Sequence, residues 1–228
     1  MHDEFLNWLT SWKEKLSART FSELGDPKNI AVISVDMVVG FCHTGPLASP
    51  QVHDTIPHVV EVFKNAYEHE VRNYLLLQDT HSQNAEEFNA YPPHCIQGTE
   101  ESENIPELKA LPFANLYQTF EKNALSPIYD TKINGWITDH PEVTTYIVVG
   151  DCTDLCVYNM AMNLRMSANA KNIKRKVIVV ANAVATYDMS VTKATELGAM
   201  PHPEKLLHPL FLYHMALNGI EVIKEVNN

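Results

Sequence analysis

The chain has 228 residues, of which 45% are hydrophobic and 20% charged, and a chain of this length can bury a substantial core within one domain. Its 28 acidic residues outnumber its 17 basic residues, and the formal net charge of −11 would repel a phosphate backbone or an anionic lipid surface. Nucleic acid and membranes are therefore not expected as partners. Residues 1–20 lack the unbroken apolar stretch of a signal peptide or a membrane span, so we predict a cytoplasmic protein.

Short apolar runs alternate with longer amphipathic segments along the chain, a pattern typical of a parallel sheet with helices between its strands. The predicted strands are 30–35, 74–77, 116–120, 144–149 and 176–181, with an edge strand at 221–226. The predicted helices are 57–70, 131–139, 153–170, 192–197 and 205–217. A polar loop at 82–107 is long enough to indicate a functional role. The pattern predicts a three-layer α/β/α fold, with helices on both faces of a mostly parallel sheet of about five or six strands.

Ionisable side chains follow four of the predicted strands. Asp36 comes after the first strand, Asp79 and His81 come after the second, Lys122 after the third, and Cys156 shortly after the fourth. Open parallel sheets bind ligands beyond the carboxyl ends of their strands. Each residue alone is more simply interpreted as a turn or helix cap, but their coincidence at one sheet edge predicts a functional site.

Cys156 lies in the stretch VVGDCTDLCV, in which a strand breaks at Gly150 and a helix is predicted to begin near Thr153 or Asp154. The four cysteines of the chain are too few and too scattered for a disulfide framework, so the thiol is expected to be reduced. The positive end of a helix favours thiolate, and its free N–H groups can hold an oxyanion. The alternative is a small buried residue that packs the helix against the sheet.

Asp79 and His81 in QDTH, with His94 in YPPHC, offer one carboxylate and two imidazoles. Such a set binds divalent zinc, manganese or iron. The alternate spacing places Asp79 and His81 on the same side of an extended chain, and three protein ligands leave positions for water or substrate. The alternative is a turn-capping aspartate and two loop histidines in a chain that has 11 histidines.

Two further groups of residues have simpler interpretations. Trp8 and Trp12 form an apolar stripe on an N-terminal helix, for which core packing is favoured over a lid or a subunit contact. His202, His208 and His214 are six residues apart, a spacing that matches neither a helical face nor a usual ligand pair. We interpret these histidines as surface or packing residues.

Five stretches of the chain resemble, in order, the successive motifs of the isochorismatase-like cysteine hydrolases, and most closely those of the nicotinamidases. They are IAVISVDMVVGFC, LLLQDTHSQNAEEF, YPPHCIQGTEESE, FEKNAL and VVGDCTDLCVYNMAM, and they lie within residues 30–185. Asp, Lys and Cys occur in the family's order and contexts. The resemblance implies a single isochorismatase-like hydrolase domain over residues 1–228, with residues 1–25 as an N-terminal helical extension and residues 201–228 as a C-terminal extension.

The resemblance implies a catalytic triad of Asp36, Lys122 and Cys156. In this scheme Asp36 takes the thiol proton of Cys156, and Lys122 stabilises the thiolate that results. The resemblance also implies a cis peptide bond between Asp151 and Cys152. The backbone N–H groups of Cys152 and Cys156 are then expected to form the oxyanion hole.

A metal site of Asp79, His81 and His94, holding one divalent ion, follows from the same resemblance. Isochorismatases lack this set, so its presence favours the nicotinamidase branch of the family. Phe41 and Tyr91 occupy positions at which the family places aromatic residues against the substrate ring.

The chain departs from the family pattern in three places. Val38, Val39 and Gly40 stand where a polar triplet is usual, and Tyr91 stands where nicotinamidases commonly have Trp. The stretch NALSPIYDT replaces a longer insert after Lys122. These departures affect recognition of the substrate ring and leave the triad residues unchanged.

We therefore predict a cysteine-dependent amidohydrolase, most closely a nicotinamidase that converts nicotinamide and water to nicotinate and ammonia through a thioester on Cys156. An amidase for another small amide, carbamoyl or ureide substrate with the same triad stays open. So does a different class, a non-catalytic metal-binding or redox-sensing protein in which Cys152 and Cys156 oxidise. A vinyl ether hydrolase is disfavoured, because isochorismatases lack the metal residues. The resemblance also implies a homo-oligomer.

Overall fold

The computed structural model describes residues 2–228. Its strands, numbered along the chain, are β1 (Arg19–Thr20), β2 (Ile30–Val35), β3 (Asn73–Asp79), β4 (Tyr117–Lys122), β5 (Thr145–Asp151), β6 (Lys176–Ala185), β7 (Glu221–Ile223) and β8 (Val226–Asn227). Its α-helices are α1 (His2–Glu14), α2 (Val39–Cys42), α3 (Pro50–His53), α4 (Ile56–Glu68), α5 (Pro106–Lys109), α6 (Ile133–Asp139), α7 (Cys156–Lys171), α8 (Val191–Leu197) and α9 (Glu204–Leu217). Short 3₁₀ helices are Phe21–Glu23, Pro27–Asn29, Glu86–Asn89, Glu100–Ser102 and Ala114–Leu116.

Six strands form the main sheet in the order β4–β3–β2–β5–β6–β7, and each pair of neighbours is parallel. Helices cover both faces. On one face α4 buries Val59 and Phe63 in a core shared with α3 and α5. On the other face α7 buries Val157, Met160 and Leu164 in a core shared with α6 and α9. The predicted three-layer α/β/α architecture is confirmed. No helix within residues 2–228 is both long and apolar enough to cross a membrane.

The strand order reverses between β2 and β5, which are neighbours although the chain runs from β2 through β3 and β4 before reaching β5. In open α/β sheets such a reversal opens a crevice at the carboxyl ends of the strands. Gly150 permits the close approach there. Its φ is +111°, and an added Cβ would lie 2.0 Å from the carbonyl oxygen of Val35, so a residue with a side chain would collide with β2.

The strand predictions agree best where a strand is buried along its whole length. All residues of β2 are buried, and its bounds are those predicted. β6 continues to Ala185, beyond the predicted end at 181. The prediction ended too early because the polar Asn182 interrupts the apolar run within the strand. The predicted strand 221–226 is divided between two sheets: β7 lies at the edge of the main sheet, and β8 pairs with β1.

The N-terminal helix α1 packs against α9. Leu9 is the residue of α1 that is buried, whereas Trp8 is 48% exposed, so the prediction that Trp8 packs in the core is wrong. The ring of Trp8 instead stacks on that of Trp12, and both meet Tyr213 of α9 edge-on. The helical repeat turns Leu9 inward and leaves the indoles along the edge of the contact.

Candidate active site

The three predicted catalytic residues lie together at the carboxyl end of the sheet, each on a different element. Asp36 directly follows β2, Lys122 is the last residue of β4, and Cys156 is the first residue of α7. The Nζ atom of Lys122 lies 2.8 Å from Asp36 Oδ2 and 3.6 Å from Cys156 Sγ. All three side chains are buried, so this ammonium group links a carboxylate to a thiol away from bulk water.

Asp36 is held by the neighbouring strand β3. Its φ of +52° lies in the left-handed region, which Asp tolerates better than most residues. Its backbone N–H donates to Leu77 O at 2.8 Å, and its Oδ1 accepts from the backbone N–H of Asp79 at 2.8 Å. One carboxylate oxygen is therefore fixed to the end of β3, and the other faces Lys122.

Charge compensation in this cluster depends on Lys122, which also contacts the carboxylate of Asp79. Burial alone would lower the pKa of Lys122, but Asp36 and Asp79 raise it well above its usual value. Burial raises the pKa of Asp36 to about 6, the charge of Asp79 adds to this rise, and Lys122 opposes it. Burial would also raise the pKa of Asp79, but Lys122 and the neighbouring histidines lower it below its usual value.

Cys156 differs from the expectation of a thiol poised as thiolate. Burial raises the pKa of Cys156 well above its usual value; Lys122 lowers it only in part, and Asp36 and Asp79 raise it further. The helix also begins at Cys156 itself rather than near 153 or 154. A thiol with a raised pKa would need a base beside it to act as a nucleophile, and a carboxylate oxygen of Asp36 lies within 4.8 Å of Cys156 Sγ.

The turn before α7 contains the residues that are predicted to form an oxyanion hole. The peptide bond between Asp151 and Cys152 is cis, as the resemblance implied. The amides of Thr153, Leu155 and Val157 donate to carbonyl groups. Within residues 2–228, the amides of Cys152 and Cys156 are left without a backbone acceptor of this kind, so both stay available to a developing negative charge.

The predicted metal ligands converge beside the triad. Asp79 Oδ1 lies 3.5 Å from His81 Nε2, and Asp79 Oδ2 lies 3.6 Å from His94 Nε2. Glu87 joins them, with Oε1 3.8 Å from His81 Nε2. The ligand atoms of these four residues all lie within 4.8 Å of one another, which is the spacing that one cation with oxygen and nitrogen ligands requires.

Two features of the histidines fit a metal ion. Both ring nitrogens of His81 are buried, and neither has a hydrogen-bond partner within the described part of the chain; such orphaned polar atoms are costly unless a ligand satisfies them. The Nδ1–H group of His94 donates a hydrogen bond of 2.8 Å to the carbonyl oxygen of Pro92. This bond fixes the ring and leaves Nε2 for a metal. The donor set therefore suits a divalent cation.

A small pocket of about 50 Å³ opens above Cys156. Phe41 and Tyr91, the predicted substrate contacts, both line it, as do Cys152 and Cys156. Tyr187 forms a further aromatic wall. The space between these aromatic side chains, next to the thiol, has the shape to take a small flat molecule.

Sequence reasoning missed Glu87 and Tyr187. Glu87 stands six residues after His81 in the polar loop, where only the histidines and Asp79 were considered as ligands. Tyr187 follows the true end of β6, so the rule that strand ends converge on the site would have found it if the strand had been predicted to its full length.

Comparison with known proteins decides the family. A family model described as the Isochorismatase domain matches residues 30–203. The chain belongs to the isochorismatase family. The resemblance of the five motifs is thereby confirmed, and the isochorismatase domain extends past residue 185 to include α8 and His202.

Relatives within and near this family cover most of the chain. Nicotinamidase 1 of Arabidopsis thaliana is 29% identical over 219 residues, which cover 90% of this chain and 89% of that protein. A cysteine hydrolase from Pseudomonas syringae pv. phaseolicola 1448A has a TM-score of 0.71 at 21% identity, covering 88% of this chain and 91% of that one. A pyrazinamidase of Pyrococcus horikoshii in complex with zinc has a TM-score of 0.65 at 21% identity, covering 86% and 99%. These likenesses confirm the isochorismatase-like fold.

Proposed function

We propose that the protein is a cysteine-dependent nicotinamidase, which converts nicotinamide and water to nicotinate and ammonia. The observation that carries the proposal is the buried chain of contacts from Asp36 through Lys122 to Cys156 at the floor of an aromatic pocket. Hydrolysis of an amide carbon–nitrogen bond, the coarser part of this proposal, is confirmed by the isochorismatase family match and the nicotinamidase relative.

The first half-reaction transfers the acyl group to sulfur. Asp36 takes the proton of Cys156, and Sγ forms a bond to the amide carbon while Lys122 stabilises the negative charge. The carbonyl oxygen becomes an oxyanion held by the amides of Cys152 and Cys156. The carbon–nitrogen bond then breaks, the proton on Asp36 leaves with ammonia, and a thioester remains.

The second half-reaction restores the enzyme. Asp36, again a carboxylate, takes a proton from a water molecule as that water attacks the thioester carbon. The carbon–sulfur bond breaks, the proton on Asp36 passes to the sulfur of Cys156, and the carboxylic acid departs. Asp79, His81 and His94, with Glu87, would hold one divalent ion, of zinc, manganese or iron, which would supply a Lewis acid beside the pocket and a site that could orient the substrate.

Cys156→Ala tests the proposal, with ammonia release from nicotinamide as the assay. We expect turnover to fall by at least about 10³-fold, because removal of the nucleophile of a triad costs this much or more. Cys42→Ala is the matched control: it removes a buried thiol that does not line the pocket and should keep turnover. Ordinary activity in Cys156→Ala, with unchanged circular dichroism, contradicts the mechanism.

A panel of small amides and carbamoyl compounds tests the substrate. Nicotinamide should give the highest kcat/KM, since the pocket places Phe41, Tyr91 and Tyr187 around a planar ring. A carbamoyl or ureide compound that is turned over faster would move the assignment to another amidase with the same triad. Absence of turnover with every compound would favour a binding or redox protein.

A further inference from the structure

The segment between Tyr187 and His202 begins beside the pocket, which Tyr187 lines. Met189 and His202 exchange two backbone hydrogen bonds, each of 2.8 Å, so the segment leaves and returns at one point. Between them, α8 exposes most of its side chains, including 69% of Val191 and 63% of Leu197. The contacts that attach this segment to the rest of the protein are therefore concentrated near Met189 and His202.

His202 supplies that attachment. Its side chain is buried, with Nε2 2.7 Å from Asp154 Oδ2 and Nδ1 2.8 Å from the carbonyl oxygen of Tyr187. A peptide carbonyl and a carboxylate both accept hydrogen bonds, and a neutral imidazole has only one N–H to donate. Both bonds form together when His202 is an imidazolium ion.

The charges of the pair support each other. Burial alone would lower the pKa of His202, but the hydrogen bond and the charge of Asp154 raise it above its usual value. Burial would likewise raise the pKa of Asp154, but His202 and Thr186 lower it. The hydroxyl of Thr186 donates to Asp154 Oδ1 at 2.5 Å, so both carboxylate oxygens are occupied.

Asp154 lies in the turn between Cys152 and Cys156, so the ion pair acts on the turn that carries the nucleophile and both oxyanion amides. His202 also contacts the pocket wall. Its ring stacks on the ring of Tyr187 with centroids 3.8 Å apart and planes inclined by 14°, and Tyr187 lines the pocket with the two cysteines.

We propose that His202 is a positioning residue, which as an imidazolium ion fixes the turn carrying Cys152 and Cys156 through Asp154 and holds the ring of Tyr187 as a wall of the pocket. His202 touches no reacting atom and acts through these two neighbours. The effect on catalysis rests on the proposed amidase function.

The two roles separate in kinetics. In His202→Ala we expect KM for nicotinamide to rise about tenfold, because the wall loses its stacking partner, and kcat to fall about 10-fold to 100-fold, because the turn moves. His202→Gln keeps an N–H donor for Asp154 but no ring for Tyr187. It should recover most of kcat and little of KM, and it serves as the second variant if His202→Ala fails to fold.

A double-mutant cycle with Tyr187→Leu shows whether His202 acts through this wall. In the Tyr187→Leu background, His202→Ala should still lower kcat but should no longer raise KM. His214→Ala is the control, since His214 is an exposed histidine bonded to Tyr158 and its loss should change neither constant. If the KM effects of His202→Ala and Tyr187→Leu multiply, or if His202→Ala alters only the unfolding temperature, the proposal is wrong.

A readout without substrate separates this proposal from the proposed function. The rate of alkylation of Cys156 by iodoacetamide, assigned by tandem mass spectrometry, should fall about tenfold in His202→Ala, because Sγ moves away both from Asp36, the base that takes its proton, and from Lys122, which stabilises the thiolate. His214→Ala should react like the unaltered protein. If nicotinamide is not turned over, a fall in this rate still supports the positioning role, and an unchanged rate overturns it.

Discussion

His208 is a buried histidine that the fold keeps neutral. Its Nδ1 lies 2.9 Å from Thr153 Oγ1, in the turn that precedes Cys156. Burial lowers the pKa of His208 to about 3, the charge of Lys13 lowers it further, and Asp154 opposes the shift. The unfolded chain takes up this proton near pH 6.5, whereas the folded chain does so only near pH 3.

Stability should therefore fall with acidity in a way that depends on His208. Its contribution is complete above about pH 6.5 and is lost progressively as the pH falls toward 3. Between about pH 7.5 and pH 5.5, His208→Gln should lose about 1.4 kcal/mol less of the free energy of unfolding than the unaltered protein. Urea unfolding at both pH values measures this, with exposed His214→Gln as control. Equal losses in all three proteins would show that His208 is not held neutral.

Glu87 is the candidate metal ligand that was missed in the sequence. The orientation of its carboxylate places one oxygen near the other candidate ligands. Its Oε2 accepts from the backbone N–H of Leu125 at 2.7 Å, which leaves Oε1 toward His81. Glu87→Gln removes the charge and keeps the size, so metal affinity should fall at least about tenfold. Metal content after dialysis is the measurement. Exposed Glu86→Gln is the control, and equal retention of metal by both variants would exclude Glu87 as a ligand.

At the scale of elements, the approach of β5 to β2 depends on one residue. Gly150→Ala places a Cβ 2.0 Å from Val35 O at a φ of +111°, and backbone cannot yield as a flexible side chain does. We expect a loss of at least about 4 kcal/mol in the free energy of unfolding.

Gly135→Ala is the matched control for this substitution. Gly135 is exposed within α6, and among the described residues nothing lies within 4 Å of an added Cβ. Alanine should stabilise the helix there by about 0.5–1 kcal/mol. Thermal unfolding of the two variants gives the comparison, and similar midpoints would mean that the sheet rearranges around Gly150.

Elements that are buried along their length could be predicted from the sequence, and their ends could not. β2 is an uninterrupted apolar run, and Asp36 stands directly beyond it, which is why its place in the site was foreseeable. The start of α7 was predicted too early because residues 152–155 form a turn that looks helical in sequence. The end of β6 was predicted too early because Asn182 is polar, and Tyr187 was lost with it.

Site residues that arrive from distant segments had no local signal. His202 meets Asp154 across 48 positions of the chain, and its spacing to His208 and His214 carries no information about that contact. The predicted triad and the first three predicted metal ligands could be found from the sequence because each follows a strand or stands in a family motif. Glu87, Tyr187 and His202 could be assigned to the site only from the packing of the loops in the structure.

For the whole molecule, the arrangement of the two ends of the chain bears on cooperativity. α1 packs on α9 through Leu9 and its indoles, and β1 pairs with β8. The extensions are thus part of the packed structure, and we infer a single domain over residues 1–228. The predicted homo-oligomer stays a prediction.

We therefore expect the protein to unfold in a single cooperative transition, which two spectroscopic probes should report at the same urea concentration. Trp8 and Trp12 report on α1 and Trp136 reports on α6, while far-ultraviolet circular dichroism reports on the whole fold. We expect the urea midpoints from tryptophan fluorescence and from circular dichroism to coincide. A fluorescence change that comes first would show that the N-terminal extension unfolds separately.

The closed base at Met189 and His202 also bears on how this fold could diversify. Because β6 ends at Ala185, before that base, and Asp36, Lys122 and Cys156 all lie in other parts of the chain, the length of residues 190–201 can change without moving the predicted triad residues. Exposed segments of this kind tolerate insertion and replacement. The residues between Met189 and His202 thus form an exchangeable module, through which the width of the pocket entrance could be redesigned while the chemistry below stays in place.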